Sequence, residues 1–179
     1  MILNDKFSLL PVEPETKKLF LEWWRDPEVR PMQDSSLLPV SRGKCEENFE
    51  HWFLSESDSQ ISFQIMTPDR QKAIGIANLR SIDWLNRSAE FTIFIGNKSY
   101  WNKGIGKGVT RAMTELAFKE YNLHRLMLRV YSHNQRAINV YKKIGFKEEG
   151  RLRHTLFRNG SWFDTMVMSI LSTDYLEGF

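Results

Sequence analysis

Cysteine is almost absent from the chain, since Cys45 is the only one among 179 residues. A single thiol excludes an intrachain disulfide and a cysteine-rich metal cage. The four histidines, at positions 51, 124, 133 and 154, show no paired spacing of the kind that metal ligands have. We therefore expect no bound metal. We also expect Cys45 to be a core residue, because it shares one helical face with Phe49 and Trp52.

Long apolar runs are absent as well. No stretch approaches the roughly 20 apolar residues that span a membrane. The segment MILNDKFSLL lacks the basic start and long apolar middle of a signal peptide. These absences predict a cytoplasmic protein without a membrane partner.

Charge is plentiful but unevenly distributed. Residues 13–58 contain six Lys or Arg against eleven Asp or Glu, a net charge of −5, whereas residues 98–158 contain fourteen against four, a net charge of +10. One part of the chain should favour cations and the other anions, although charges also segregate on ordinary solvated surfaces. The basic residues match no nucleic-acid recognition module, so we expect no nucleic-acid partner.

The hydrophobic periodicity predicts one domain over residues 1–179, a length sufficient for a substantial core. Apolar residues recur every three to four positions in helical stretches and every second position in strands. The predicted order is a strand at 7–12, helices at 14–26 and from 41, strands from 60, at 73–84 and at 89–95, a helix after 104, a strand at 124–131, a helix at 134–144, and strands at 146–157 and 162–171. This order predicts a mixed α/β fold with helices on both faces of a sheet.

The stretch 89–114 is central, because a strand gives way there to a helix through Gly104, Gly106 and Gly108. The amides of a first helical turn lack helical partners and carry partial positive charge, so glycines there let phosphate approach the backbone. The spacing is neither the G-x-G-x-x-G dinucleotide fingerprint nor a P-loop, since no Ser or Thr follows Lys107. The alternative is that these glycines merely form a tight turn.

Two segments together resemble one known family. YWNKGIGKG at 100–108 and NQRAINVYKKIGF at 134–146 resemble the acetyl-CoA loop and the following helix of the GNAT N-acetyltransferases. WRDPEVR at 24–30 and AEFTIFI at 89–95 resemble its RimJ/RimL-like branch, and spermidine and amino-sugar acetyltransferases share parts of these motifs. The sequence departs from the family at Trp101, where Gln or Arg is frequent.

The resemblance implies the acyl-CoA N-acyltransferase fold, a twisted, mostly antiparallel sheet of seven strands with helices on both faces. It also implies acetyl-CoA as the co-substrate, without a metal. The residues implied to contact the coenzyme are Ile93, Phe94, Ile95, Trp101, Asn102, Lys103, Gly104, Ile105, Gly106, Lys107, Asn134, Ala137, Tyr141 and Lys143. Those implied to contact the acceptor are Gln33, Asp34, Ser35, Glu90 and Trp162.

Acetyl transfer to an amine benefits from a base and an acid. A free alkylamine has a pKa near ~10.4 and is mostly protonated at pH 7, so a group must accept its proton. Glu90 is the candidate base, and its alternative role is an ion pair with Arg87 or a strand neighbour. The resemblance implies Tyr141 as the general acid for the departing thiolate, and its alternative role is that of a core aromatic. Asn134 should cap its helix in either case.

The sequence therefore predicts an acetyl-CoA-dependent N-acetyltransferase that acts on a primary amine. A small molecule such as a polyamine or an amino sugar ranks above a protein N-terminus as the acceptor. The acidic segment 13–58 suits a cationic amine better than an amino-sugar nucleotide. The alternatives are a non-catalytic coenzyme A-binding module and a nucleic-acid-binding domain. A homodimer is kept as one option for the oligomeric state.

Overall fold

The predicted order of helices and strands is present in the computed structural model, which describes residues 2–3, 5–30, 38–55 and 57–176. The chain forms two compact units. The first unit consists of residues 1–79 and 92–109, and the second of residues 80–91 and 110–179. Each unit is described separately.

The first unit is an antiparallel sheet with two helices. Its elements are β1 (Ile2–Leu3), β2 (Ser8–Pro11), α1 (Thr16–Arg25), α2 (Arg42–Phe49), β3 (Ile61–Met66), most of β4 (Ala73–Asp83), the second half of β5 (Ser88–Ile95) and the beginning of α3 (Ile105–Lys119). A π-helical turn, Glu50–Leu54, follows α2, and a 3₁₀ turn, Lys98–Tyr100, follows β5. The antiparallel ladder runs β1-β2-β3-β4, with Leu9 opposite Ile65 in the middle pair.

Aromatic side chains fill the core of the first unit. Helix α1 presents Phe20, Trp23 and Trp24 to this core, at the i, i+3 and i+4 spacing of one helical face. The ring centroid of Phe20 lies 5.2 Å from that of Trp24 and 5.3 Å from that of Phe49. Such pairs contribute about 0.5–1.5 kcal/mol each beyond the area they bury. Cys45 belongs to the same cluster and burial raises the pKa of its thiol, so its prediction as a core residue is confirmed.

The second unit combines parallel and antiparallel pairing. It contains the end of β4, the start of β5, the rest of α3, β6 (Arg125–Tyr131), α4 (Gln135–Ile144), β7 (Lys147–Arg158), β8 (Ser161–Leu171) and α5 (Ser172–Leu176). Its strand order is β5-β6-β8-β7, in which β5 and β6 are parallel and the other pairs are antiparallel. The parallel register runs from the pair Ser88 and Arg125 to the pair Glu90 and Met127. Parallel neighbours need a long crossover, and helix α3 lies in this one.

A bidentate ion pair joins β6 to β7. The two terminal guanidinium nitrogens of Arg125 donate to the two carboxylate oxygens of Glu149, at 2.6 and 2.5 Å. Ser169 on β8 donates to the same carboxylate at 2.7 Å. These donors lower the pKa of Glu149 to about 2, with the bond from Arg125 as the largest cause. The register of the second unit is thus supported by side chains as well as by the backbone ladder.

The predicted fold class, a mixed and mostly antiparallel sheet with helices, is confirmed. Seven of the described strands have four or more residues, and β1 adds a two-residue strand that the sequence did not predict. The π-helical turn and α5 were not predicted either. The single domain over 1–179 stays a prediction. Among the described helices, none is both long and apolar enough to cross a membrane.

Candidate active site

The first unit contains the end of β5, where a glycine packs directly on an aromatic ring. A Cβ atom built on Gly96 would lie 2.0 Å from Cδ2 of Trp23, so any larger residue would displace that ring. Phe94, two residues earlier, lies edge-on to Trp23 with ring centroids 5.6 Å apart. The side chain of Phe94 is therefore part of the core. If this residue contacts a ligand as predicted, it does so through its main chain.

Side-chain and backbone contacts fix the turn that follows β5. The amide of Asn97 donates to the carbonyl of Ile74 at 3.1 Å, and its side chain accepts from the amide of Ser99 at 3.1 Å. Lys98 forms an ion pair with Asp26 at 2.9 Å and a second with Glu28 at 3.3 Å. The bond to Lys98 is the main reason why the pKa of Asp26 is lowered. The turn is thereby attached to the segment that follows α1.

The predicted glycine loop is the next segment of the first unit. Asn102 and Gly104 adopt left-handed backbone conformations, with φ of 59° and 79°. Helix α3 then begins at Ile105, whose side chain is buried, and the amide of Gly108 donates to the carbonyl of Gly104 at 3.0 Å. The predicted transition from strand through loop to helix is therefore present at the predicted place.

The three glycines of this segment have different surroundings. Gly104 needs its residue type for the left-handed conformation. A Cβ atom on Gly108 would lie 2.8 Å from Cε1 of the buried Phe7, so this glycine serves packing. A Cβ atom on Gly106 would meet no atom within 4 Å. Gly106 thus leaves open space at the first turn of a helix, where the backbone attracts anions.

Two exposed lysines flank Gly106 in the sequence. Lys103 and Lys107 are both exposed, and Nζ of Lys103 lies 5.3 Å from the ring centroid of Tyr100. Trp101 is half-buried, and its indole Nε1 donates to the carbonyl of Ile95 at 2.8 Å. The loop therefore combines exposed positive charge with an attachment to the core through one indole ring.

Helix α4 of the second unit carries the predicted acid. Tyr141 is 9% exposed and packs against Phe146, with ring centroids 5.9 Å apart. Burial raises the pKa of Tyr141 to about 12, so the phenol keeps its proton at neutral pH. Such a group can donate a proton, but the same burial also suits the core aromatic of the alternative. Its catalytic role stays a prediction.

The remaining predicted residues of α4 lie at its N-terminus and on its surface. The side-chain oxygen of Asn134 accepts from the amide of Ala137 at 3.2 Å, so the predicted helix cap is confirmed. Ala137 is half-buried and Lys143 is exposed. Gly145 ends the helix with φ of 112°.

The predicted base, Glu90, is a buried ion-paired carboxylate. It is 8% exposed, and one carboxylate oxygen lies 3.0 Å from Nη2 of Arg80 and 3.9 Å from Nη1 of Arg129. The pairing that the alternative reading expected is thus observed, with a residue of the neighbouring strand β4. Arg87, the other expected partner, instead donates to the carbonyl and side-chain oxygens of Asn122 at 2.6 and 2.7 Å. The prediction of Glu90 as a base is left open by this geometry.

Sequence reasoning missed Arg80 and Arg129 as partners of Glu90. The signal for Arg80 was present, because the turn at 86–87 places β4 and β5 side by side and so brings residues near 80 and 90 together. From the sequence, the proximity of Arg129 to Glu90 was harder to predict. It depends on the parallel register of β5 with β6, which periodicity alone does not give.

The predicted acceptor residues differ in how far the structure describes them. Trp162 is 57% exposed on the β7–β8 hairpin, with its ring centroid 5.0 Å from Phe157 and 5.9 Å from His154. Residues 33–35, which are Gln33, Asp34 and Ser35, lie outside the described residues. Within the described part of the chain, no group of three or more His, Cys, Asp or Glu side chains could hold a metal ion.

Comparison with known proteins identifies related sequences and structures. A model of the acetyltransferase (GNAT) domain family matches residues 6–147. The spermidine N(1)-acetyltransferase of Vibrio cholerae is 35% identical over 115 residues, which are 64% of this chain and 66% of that protein. The ribosomal protein uS5-alanine N-acetyltransferase of Escherichia coli is 23% identical over 120 residues, 67% of this chain and 62% of that protein. The matches thus span slightly less than two thirds of these relatives.

A solved structure gives a likeness over nearly the whole chain. The crystal structure of spermidine N-acetyltransferase from Vibrio cholerae in complex with CoA and spermine has a TM-score of 0.84 and 25% sequence identity. The likeness covers 97% of this chain and 99% of that chain. The residues around Gly106 fit the diphosphate of coenzyme A, because the open first turn of α3 is flanked by Lys103 and Lys107.

The different surroundings of Gly106 and Gly108 predict opposite effects of the same substitution. Gly106→Ala should leave the free energy of unfolding unchanged or raise it by up to about 1 kcal/mol, because alanine favours helices. It should weaken coenzyme A binding by about tenfold or more, roughly 1.4 kcal/mol, because the methyl group fills the open space. Isothermal titration calorimetry and urea denaturation measure the two quantities.

Gly108→Ala is the matched control. Its methyl group meets Phe7, so the free energy of unfolding should fall by about 1–3 kcal/mol. Coenzyme A binding of Gly106→Ala at the wild-type affinity would contradict the assignment of the open space to a ligand.

Proposed function

Since the chain belongs to the acetyltransferase (GNAT) domain family, we propose that it transfers the acetyl group of acetyl-CoA to a primary amine of a polyamine. The observation that carries this proposal is the likeness, with a TM-score of 0.84, to a spermidine acetyltransferase solved with CoA and spermine. The identity of 35% to the spermidine N(1)-acetyltransferase over 64% of the chain supports the same acceptor class.

A protein N-terminus is the second candidate acceptor. The similarity to the uS5-alanine N-acetyltransferase supports it, at the lower identity of 23%. The two acceptors differ in charge, because a polyamine carries several ammonium groups whereas a protein N-terminus presents one amine followed by peptide bonds. Acetylation rates with polyamines and with N-terminal peptides can therefore distinguish the two candidate acceptors.

The lining of one cavity in the first unit suits a cationic acceptor. The cavity has a volume of about 280 Å³ and is lined by Glu22, Trp23 and Asp26, and by the segment 96–99. Lys98 of that segment already pairs with Asp26 at 2.9 Å, so the exposed Glu22 is the carboxylate of this lining that an ammonium group would contact. The net charge of −5 over residues 13–58 acts in the same direction at longer range.

Main-chain groups hold the coenzyme in this proposal. When bound, acetyl-CoA supplies an acetyl group activated as a thioester. The first turn of α3 at Gly106 binds the diphosphate, and the exposed Lys103 and Lys107 add positive charge around it. The end of β5 around Ile93 and Ile95 orients the rest of the molecule through its backbone.

Two side chains of the second unit handle protons in this proposal. Tyr141 holds a proton on its phenolic oxygen at neutral pH, because burial raises its pKa to about 12. It serves as the general acid. Glu90 accepts a proton at its carboxylate, directly or through water, and Arg80 orients that carboxylate through the bond of 3.0 Å.

Tyr141→Phe should remove the acid without removing the ring. We expect kcat to fall by about 10²–10⁴-fold, the usual contribution of general acid catalysis, with little change in coenzyme A affinity. Tyr131→Phe is the control, since Tyr131 is a half-buried tyrosine of the same unit that lies at the end of β6. Steady-state kinetics and calorimetry measure the two effects, and an unchanged kcat would exclude Tyr141 as the acid.

Glu90→Gln should reduce kcat/KM most at low pH, where the neutral amine is scarce and a base matters most. The rate should be followed from about pH 6 to pH 9.5, a range that approaches the ~10.4 pKa of an alkylamine. Glu149→Gln serves as the control, because it also removes one carboxylate from an arginine ion pair. An equal loss at every pH would assign Glu90 a structural role.

The proposed acceptor class is tested by a thiol-release assay over spermidine, spermine, an amino sugar, free amino acids and an alanine-terminated peptide. We expect the polyamines to give the highest kcat/KM. A higher value for the peptide would favour the second candidate. Coenzyme A binding without thiol release from any acceptor would instead indicate a non-catalytic module.

A further inference from the structure

The segment from Ile95 to Trp101 joins the end of β5 to the glycine loop, and the proposed function has both of these bind coenzyme A. Ile95 ends β5, and the exposed loop residues 102–104 directly follow Trp101. Between them, the indole Nε1 of Trp101 donates to the carbonyl oxygen of Ile95 at 2.8 Å. We propose that Trp101 is a positioning residue whose indole N–H sets the distance between the end of β5 and the glycine loop. This inference rests on the proposed function and identifies the group that makes one coenzyme A molecule fit both parts.

The β5 end of this segment is fixed independently of Trp101. Gly96 packs against Trp23, the amide of Asn97 donates to Ile74 at 3.1 Å, and Lys98 pairs with Asp26 at 2.9 Å. The residues between β5 and Trp101 are therefore held by the surrounding unit. The position of the loop relative to β5 then depends on its attachment at Trp101 on one side and at Ile105 and Gly108 on the other.

The chain leaves the core after Trp101 and returns to it at the buried Ile105. Residues 102–104 are exposed, and two of them adopt left-handed conformations. Trp101 is half-buried and packs against the aromatic core cluster that contains Trp23 and Phe94. It is thus the last residue before the exposed loop whose side chain reaches the core.

The chemistry of indole limits how Trp101 can contribute. Indole has one N–H donor, no acceptor and no charge. Its donor is directed to Ile95, so Trp101 does not offer the diphosphate a charged or amide group as Gln or Arg would at this position. Its contribution to coenzyme binding is geometric.

A geometric contribution has a distinctive thermodynamic signature. A ligand that contacts two subsites gains affinity from the fixed distance between them, which acts as an effective concentration. A ligand that contacts only one subsite does not gain from that distance. Loss of the indole hydrogen bond should therefore weaken the binding of coenzyme A more than the binding of a nucleotide that has only its diphosphate half.

The test compares two ligands on wild type and Trp101→Phe, which keeps an aromatic ring but lacks the N–H. Calorimetry measures the Kd of coenzyme A and of 3′-phosphoadenosine 5′-diphosphate, which lacks the pantetheine part. We expect about a fivefold to tenfold weaker Kd for coenzyme A and less than a twofold change for the nucleotide. Trp84→Phe makes the same chemical change at a tryptophan that is 45% exposed in the second unit, and it should alter neither Kd.

A second variant separates the hydrogen bond from the shape of the side chain. 3-Benzothienylalanine at position 101 keeps both fused rings and replaces only the N–H by sulfur. It should give the same ligand-dependent pattern as Trp101→Phe, and thermal unfolding confirms that both variants are folded.

Three results would overturn the inference. An equal loss for both ligands would indicate direct contact with the diphosphate or collapse of the loop, and no loss for either would show that the indole bond does not set the distance. A wild-type protein that binds the nucleotide but gains nothing from the pantetheine part would also contradict it. Failure of the wild type to bind coenzyme A at all would instead refute the proposed function itself.

Discussion

Direct packing of aromatic rings on glycine backbone determines the shape of the proposed coenzyme loop. Trp23 occupies the space where a Cβ atom of Gly96 would lie, and Phe7 does the same at Gly108. Contacts this close leave little room for movement, because a protein interior is packed as densely as a crystal. The segment between the two glycines is therefore held at both ends, while the side chains of its loop residues 102–104 are exposed. A rigid frame that carries an exposed loop is a common arrangement for binding sites.

Electrostatic requirements explain why the two proposed proton-handling groups have such different environments. A phenol that must keep its proton benefits from burial, which disfavours the phenolate of Tyr141. A carboxylate in a buried position requires compensation, and Glu90 receives it from Arg80 and Arg129. Burial thus serves Tyr141 without help, whereas Glu90 depends on partners from two other strands. The sequence neighbourhood of Glu90 could not show the second partner.

Periodicity predicted the elements well because it reflects which face of each helix or strand is buried. The stripe that contains Ile105, Val109 and Met113 identified α3, and all three side chains are buried. Features that do not depend on a buried face were missed, such as the two-residue β1 and the π-helical turn at 50–54. The glycine spacing located the loop, but it could not assign a role to each glycine. The packing role of Gly108, for example, depends on Phe7, which is about a hundred residues away in sequence.

The proposed binding of the diphosphate through the backbone also accounts for the tryptophan at a position where the family frequently has Gln or Arg. If the diphosphate depended on a charged side chain at 101, an indole there would remove most of the binding energy. Where amide groups of the first turn of α3 supply that energy, the side chain at 101 only has to keep the turn in place. An indole does this through one hydrogen bond and its contact with the aromatic core. In the first unit, the packing of Trp101 on the aromatic core would therefore keep the first turn of α3 in place, where a charged side chain at 101 would bind the diphosphate directly.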